Sequence, residues 1–259
     1  MLFPVSVPGR LWLPGTRGRL QRSSTTLTHN RDVTTYNIIR IPGDARDDIE
    51  QLGSKPKFWV FLDGQRWLFK EARPGTGEDW AEKAAAELAK ALGIPAATVE
   101  LAECEGRRGC MSLNFIDVDA GEALVHGNEL LAGSVKDYEV AKTFRQSDHT
   151  IASIRQAIDW ILPPELAEAA LKQLASYMVL DALIGNTDRH HENWGLKVLI
   201  ELDPTTAKIS VAPSFDHASS LGREFKDSKR AAFLAGDQVI RYVNRGRGGI
   251  YRDPTASRG

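Results

Sequence analysis

The run Ile184-Gly185-Asn186-Thr187-Asp188-Arg189-His190-His191-Glu192-Asn193-Trp194 is followed, after one apparent β-hairpin, by Ser214-Phe215-Asp216-His217. An Asp, an Asn five residues on and a second Asp beyond a hairpin are the polar groups that phosphoryl transfer from ATP needs around the γ-phosphate and its magnesium. Asp188 is the candidate base for an attacking hydroxyl, while the Asn193 amide oxygen and the Asp216 carboxylate are the hard oxygen ligands that magnesium prefers. A loop can turn Asp188 and Asn193 toward one point, whereas a helix would hold them on different faces. His190, inside the same run, joins the catalytic candidates.

These residues need elements to position them. Pro163 and Pro164 open a helix expected over residues 165–184, where Leu166, Ala170, Leu174 and Met178 recur every four residues. Gly185-Asn186 ends it. Strands are expected at residues 194–199 and 209–212, about an Asp203-Pro204 turn, and a short one at 36–41. Upstream, apolar runs at 57–62 and 65–69 flank Asp63-Gly64, a strong hairpin signal, and Lys70 closes the second strand. A lysine there, ahead of an acidic helix, presents its ammonium to the α- and β-phosphates.

That helix is expected from Glu78 to Leu92, with Trp80, Ala84, Leu88 and Leu92 as its apolar stripe and Gly93 and Pro95 ending it. Glu82 lies off the stripe beside Ala85 and Ala89, whose small side chains let the helix approach the sheet closely enough for Glu82 to pair with Lys70. Glu78 and Glu87 are its rivals. Before the hairpin, Gly53 with Ser54 and Lys55 offers backbone donors to a phosphate, and Lys57 follows them. This loop matches neither the Walker pattern nor the Gly-rich loop of ordinary protein kinases.

Taken together, LGSKPKFW, WLFK, GEDWAEKAAAELAKALGIP, LIGNTDRHHENWG and SFDHASSLG resemble the HipA-like kinases, a bacterial branch of the protein-kinase-like fold related at the active site to phosphatidylinositol 3- and 4-kinases. The resemblance covers about residues 50 to 222. It implies that Lys70 contacts ATP phosphates, Glu82 pairs with it, Asp188 is the base, and Asn193 and Asp216 bind magnesium. Gly53 to Lys55 would form the phosphate loop, and Met111 to Phe115 would lie near the adenine-binding hinge. ATP and Mg2+ are the implied cofactors, with a Ser or Thr hydroxyl on a protein as acceptor and an antitoxin or complementing chain as a candidate partner. Ser54 is a candidate site of self-phosphorylation. Asp-His at 216 and 217 replaces the Asp-Phe-Gly of ordinary kinases, which argues against a Phe-based switch.

The fold class expected is α+β and two-lobed, with a sheet-rich small lobe over 36–115 and a helical large lobe over 116–240. The stretch after Asp216 is short for the family, so the large lobe is expected to be incomplete at the C-terminus, and 241–259 reads as a Gly/Arg-rich tail. Residues 1–35 form an Arg-rich segment of flexible composition, with five arginines and no acid in the first 31 residues.

With 42% apolar and 26% charged residues, the composition is that of a globular protein. No apolar run approaches the ~20 residues of a membrane span. A net charge of −1 argues against nucleic-acid binding as the main function. Cys104 and Cys110 are the only cysteines, too few for a disulfide scaffold, so both read as reduced thiols and the cytoplasm is the simplest setting. Two rival classes are a nucleotide-binding pseudokinase or scaffold, and a metal-dependent hydrolase built on Asp188, His190, His191, Asp216 and His217.

Overall fold

The described chain opens with strands β1 (Ile38–Ile41), β2 (Arg46–Ile49), β3 (Lys57–Leu62) and β4 (Gln65–Glu71), then helix α1 (Glu78–Ala91) and strands β5 (Val99–Cys104) and β6 (Arg107–Leu113). The structure, a computed structural model, describes residues 35–49, 57–142, 145–199, 208–236 and 238–256. These six strands form one sheet in the order β1-β5-β6-β4-β3-β2. Asp63-Gly64 turns β3 into β4 with φ angles of 50° and 76°, the primed geometry that matches strand twist. Glu105-Gly106 does the same between β5 and β6, at 52° and 75°. That second hairpin was not anticipated, because Glu is no usual turn residue.

Register decides which side chains face the chemistry. Lys57 pairs with Lys70 and Lys70 with Cys110, while Phe58 pairs with Phe69 and Phe69 with Met111. The two-residue period sends Phe58, Phe69 and Met111 into one core with Val60 and Trp67 and leaves Lys57, Lys70 and Cys110 on the opposite face. There α1 packs, its Ala86 joining Val99 and Cys110. The buried face of α1 carries Ala81, Glu82, Ala85 and Ala89, whereas Leu88 and Leu92 are 39% and 54% exposed. The expected apolar stripe is therefore not the contact face. The small-residue flank is, because only side chains of that size let the helix lie close to its neighbours.

The second part comprises β7 (Glu122–His126), α2 (Gly127–Ser134), α3 (Ile151–Ile161), α4 (Pro164–Ile184), β8 (Gly195–Leu199), β9 (Lys208–Val211), α5 (Asp227–Ala235) and α6 (Val239–Arg245). Strands β7, β8 and β9 form an antiparallel sheet. Helix α4 begins with Pro164 in its first turn and stops at Gly185, whose φ of 63° is the left-handed cap. Its buried face is Ala167, Ala170, Leu174, Tyr177, Leu180 and Ile184. The expected stripe is thus rotated, with Leu166 49% exposed.

Ala85 and Ala89 of α1 meet Leu180 and Ile184 of α4, tying the two parts together. After α6 the chain returns to the core. Ile250 packs against the α3–α4 cluster, and the Tyr251 N–H donates to the His149 carbonyl at 2.9 Å. The stretch expected to be a tail is helical to Arg245 and docked around residue 250. Among the described residues no helix is long and apolar enough to cross a membrane.

Candidate active site

Residues 186–194 carry no regular secondary structure, and their shape is set by Asp181 in the last turn of α4. The Asn186 amide donates to Asp181 Oδ1 at 2.8 Å. Arg189 grips the same carboxylate twice, Nε to Oδ2 at 2.7 Å and Nη2 to Oδ1 at 2.8 Å. With 3% exposure, the Arg189 guanidinium requires partners throughout. It finds them in the Asn193 carbonyl at 2.6 Å, Ser214 Oγ at 2.9 Å and the Phe215 carbonyl at 3.4 Å. Arg189 is therefore the hub that holds the 188–193 loop against the 214–216 segment. In sequence it reads as one more solvated loop charge; the only clue is the acid near the end of the preceding helix.

Within the loop, Asn193 Nδ2 donates to the Asp188 carbonyl at 2.6 Å, which leaves the Asn193 amide oxygen as its ligand atom. Asp188 Oδ2 accepts from Ser219 Oγ at 3.2 Å. Asp216 sits at a φ of 59°, in the left-handed region that Asp tolerates better than most residues with a Cβ. Its Oδ1 lies 3.2 Å from Lys70 Nζ. The loop pair and the end of β4 are thus brought together.

Glu82 is fully buried on α1, and its Oε1 lies 3.5 Å from His217 Nδ1. The expected Lys70–Glu82 pair is replaced by two contacts, Lys70 with Asp216 and Glu82 with His217. The reason is that the segment after β9 brings both a carboxylate and an imidazole to this face. The contact is an ionic approach at 3.5 Å, and both Glu82 oxygens and His217 Nδ1 are buried without a hydrogen bond. His217 Nε2 is joined to Ser214 Oγ at 2.7 Å. Burial opposes the Lys70 ammonium, yet the Asp216 and Glu82 carboxylates outweigh it and hold the lysine above its usual range. Burial likewise opposes the Glu82 charge, and His217 and Lys70 outweigh that, lowering its pKa. The charged forms of Lys70 and Glu82 are thus both favoured.

The remaining histidines brace the loop. His149 Nδ1 donates to the Gly249 carbonyl at 2.8 Å, and its Nε2 accepts from Trp194 Nε1 at 3.1 Å, a pairing that needs the neutral ring. Burial pushes its pKa down to about 4. His191 is buried against the Tyr138 hydroxyl, 2.7 Å from Nδ1. The ring of His190 contacts Glu192, with Nδ1 3.8 Å from Oε2, and no contact joins it to Asp188's carboxylate, so its expected catalytic part has no support in the geometry. Among the described residues no three His, Cys, Asp or Glu side chains are grouped to hold a metal. The hydrolase alternative needs such a group. Magnesium held by phosphate oxygens and two protein oxygens does not, and Asn193 and Asp216 supply hard oxygen donors that fit it.

Of the nucleotide-site candidates, Lys57 shares the face of Lys70. Phe115 lies in the linker after β6, its ring 5.7 Å from that of Phe215 beside Asp216. Met111 is a correction: fully buried, it faces the core on the side of the sheet opposite Lys70 because it pairs with Phe69. Gly53, Ser54 and Lys55 lie outside the described residues. Cys104 and Cys110 are free thiols and buried.

A lysine-bearing sheet and a glutamate-bearing helix facing a loop pair with Asp188, Asn193 and Asp216 define a kinase-like α+β protein. The model of the HipA-like C-terminal domain matches residues 51–241, and the chain belongs to that family. Among solved structures, a Helicobacter pylori proinflammatory kinase, CtkA, shares the fold at a TM-score of 0.65 and 20% identity, over 82% of this chain and 70% of that one. HipA of the Shewanella oneidensis MR-1 toxin–antitoxin system, in complex with HipB and its operator DNA, aligns at a TM-score of 0.52 and 16% identity. That alignment covers 83% of this chain and 50% of HipA. No curated protein sequence matches the chain.

Proposed function

We propose that the protein transfers the γ-phosphoryl group of ATP, with magnesium, to a hydroxyl, most specifically a Ser or Thr on a protein. The observation that carries this reading is the 3.2 Å approach of Lys70 to Asp216, which joins the strand-end lysine to the loop pair across more than a hundred residues. Magnesium, when bound, neutralises phosphate charge. The chain's own groups do the rest. Lys70 donates to phosphate oxygens, Glu82 keeps the lysine charged, and Asp188 takes the proton of the acceptor hydroxyl as it attacks. Asn193 and Asp216 would hold the metal through oxygen. The Lys70–Asp216 pair must loosen for each partner to meet its ligand.

Membership of the family supports this reading, and the toxin–antitoxin setting of the HipA relative suggests an antitoxin as partner. Incubation with labelled ATP and magnesium, with and without acceptor proteins, tests it. Label on protein is expected. Free phosphate without labelled protein would point to hydrolysis, and nucleotide binding without turnover to a scaffold. Mass spectrometry of the same incubation tests Ser54 as a self-modification site.

A further inference from the structure

A chain of polar contacts links the start of α1 to the proposed base. Glu78, 3% exposed, accepts from the Arg73 backbone N–H at 2.9 Å, from Arg73 Nη1 at 2.9 Å, and from Arg223 Nη1. Arg223 Nη2 donates to Ser219 Oγ at 3.2 Å, and Ser219 Oγ donates to Asp188 Oδ2 at 3.2 Å. The Gly77 N–H also donates to the Arg223 carbonyl at 2.7 Å, so backbone and side chain fix Arg223 together. None of Arg73, Glu78, Ser219 and Arg223 has a part in the phosphoryl-transfer scheme.

The polarity of this chain is forced. A guanidinium only donates, so Arg223 occupies a lone pair of the Ser219 oxygen and directs the single hydroxyl proton to Asp188. Glu78, in turn, holds Arg223 through a charge-assisted contact. Ser219 thereby occupies one lone pair of Asp188 Oδ2 and fixes how the carboxylate is turned.

We propose that Ser219 and Arg223 are positioning residues that orient Asp188, and that Glu78 makes this orientation depend on where α1 sits. Glu78 begins the helix that carries Glu82, and Arg73 lies three residues beyond Lys70. A displacement of α1 therefore reaches the base directly as well as through the Lys70 cluster. The inference rests on the assignment of Asp188 as base.

Ser219→Ala, Ser219→Thr and Glu78→Gln, with the Glu78→Gln/Ser219→Ala double variant, test it by steady-state kinetics and hydrogen exchange. Ser219→Ala lowers kcat roughly 10- to 100-fold, as misorientation of a reacting group does, with KM for ATP nearly unchanged, and Ser219→Thr restores turnover. Glu78→Gln lowers kcat in the same sense, and the double variant is no slower than Ser219→Ala alone, because both act through one contact. Unchanged kcat in Ser219→Ala, or fully additive losses, overturns the proposal. Hydrogen exchange reads the link without turnover: Glu78→Gln speeds amide exchange across residues 186–193, and unchanged exchange there overturns the link. If wild-type protein transfers no phosphate, the kinase reading fails on its own, and the exchange result alone decides whether Glu78 restrains the loop.

Discussion

Asp216 meets Lys70 at the end of β4 and Asp188 meets Ser219, and these surroundings separate their proposed parts. Asp188→Asn removes the proton acceptor and leaves the proposed metal ligands, so turnover falls by roughly 10²- to 10⁴-fold while ATP affinity, read by titration, stays close to wild type. Asp216→Asn instead removes the negative charge 3.2 Å from Lys70 and weakens the magnesium-dependent part of nucleotide binding. Near-wild-type behaviour in both variants would remove the proposed roles. Lys70, Glu82, Asp188, Asn193 and Asp216, the five polar groups of the candidate site, stand out in the sequence, since each is a polar residue beside an apolar element at an informative spacing. Arg189, Ser219 and Arg223 do not, because a loop Arg or Ser looks the same whether it is solvated or buried. The partner of Lys70 was misassigned for a related reason: spacing identifies the element that carries a charge, and tertiary approach decides which opposite charge it meets.

At the scale of elements, the segment after α6 is a brace for the loop over residues 186–194. A Cβ on Gly249 would lie 2.4 Å from the Arg189 carbonyl oxygen and 2.8 Å from the His190 nitrogen, so Gly249→Ala must displace backbone that adjoins Asp188. A stability loss of about 1–3 kcal/mol is expected, visible as a lower Tm, together with reduced kcat. His149 ties the same segment to Trp194, and burial holds its folded pKa at about 4, below the ordinary histidine value of 6.5. The unfolded chain therefore binds the extra proton first. The stability due to neutral His149 is complete above about pH 6.5 and is lost as pH falls toward 4, about 3 kcal/mol at full extent. Melting at pH 7.5 and pH 5 checks this: His149→Gln lowers Tm at the higher pH and narrows the difference between the two. Helix limits and the Asp63-Gly64 hairpin were readable because caps and turns are local chemistry. Buried faces were less so. On α1 the large apolar residues point outward, and the contact is made by alanines that carry little hydrophobic signal.

For the whole molecule, the order of strand-end lysine, helix, loop and second carboxylate was enough to indicate a two-part α+β protein. The parallel pairing of β1 with β5 and the return of Tyr251 to His149 left no local pattern and were legible only in three dimensions. If the two parts close on one nucleotide, MgATP stabilises them together. At a hundred times Kd the gain is about 2.7 kcal/mol, seen as a rise in Tm, and Asp216→Asn loses the portion of that rise that depends on magnesium. A rise of the same size without magnesium would argue against Asn193 and Asp216 as metal ligands.

The support that Gly249 and Ile250 give the catalytic loop also sets an order in time. During synthesis the chain emerges from its N-terminus, and early elements fold before later ones exist. Asp188, Asn193 and Asp216 are all made before the segment that braces them. A nascent chain therefore carries every proposed catalytic group while its loop is still unsupported, and the proposed activity is expected to begin only once residues 249–251 have left the ribosome and docked.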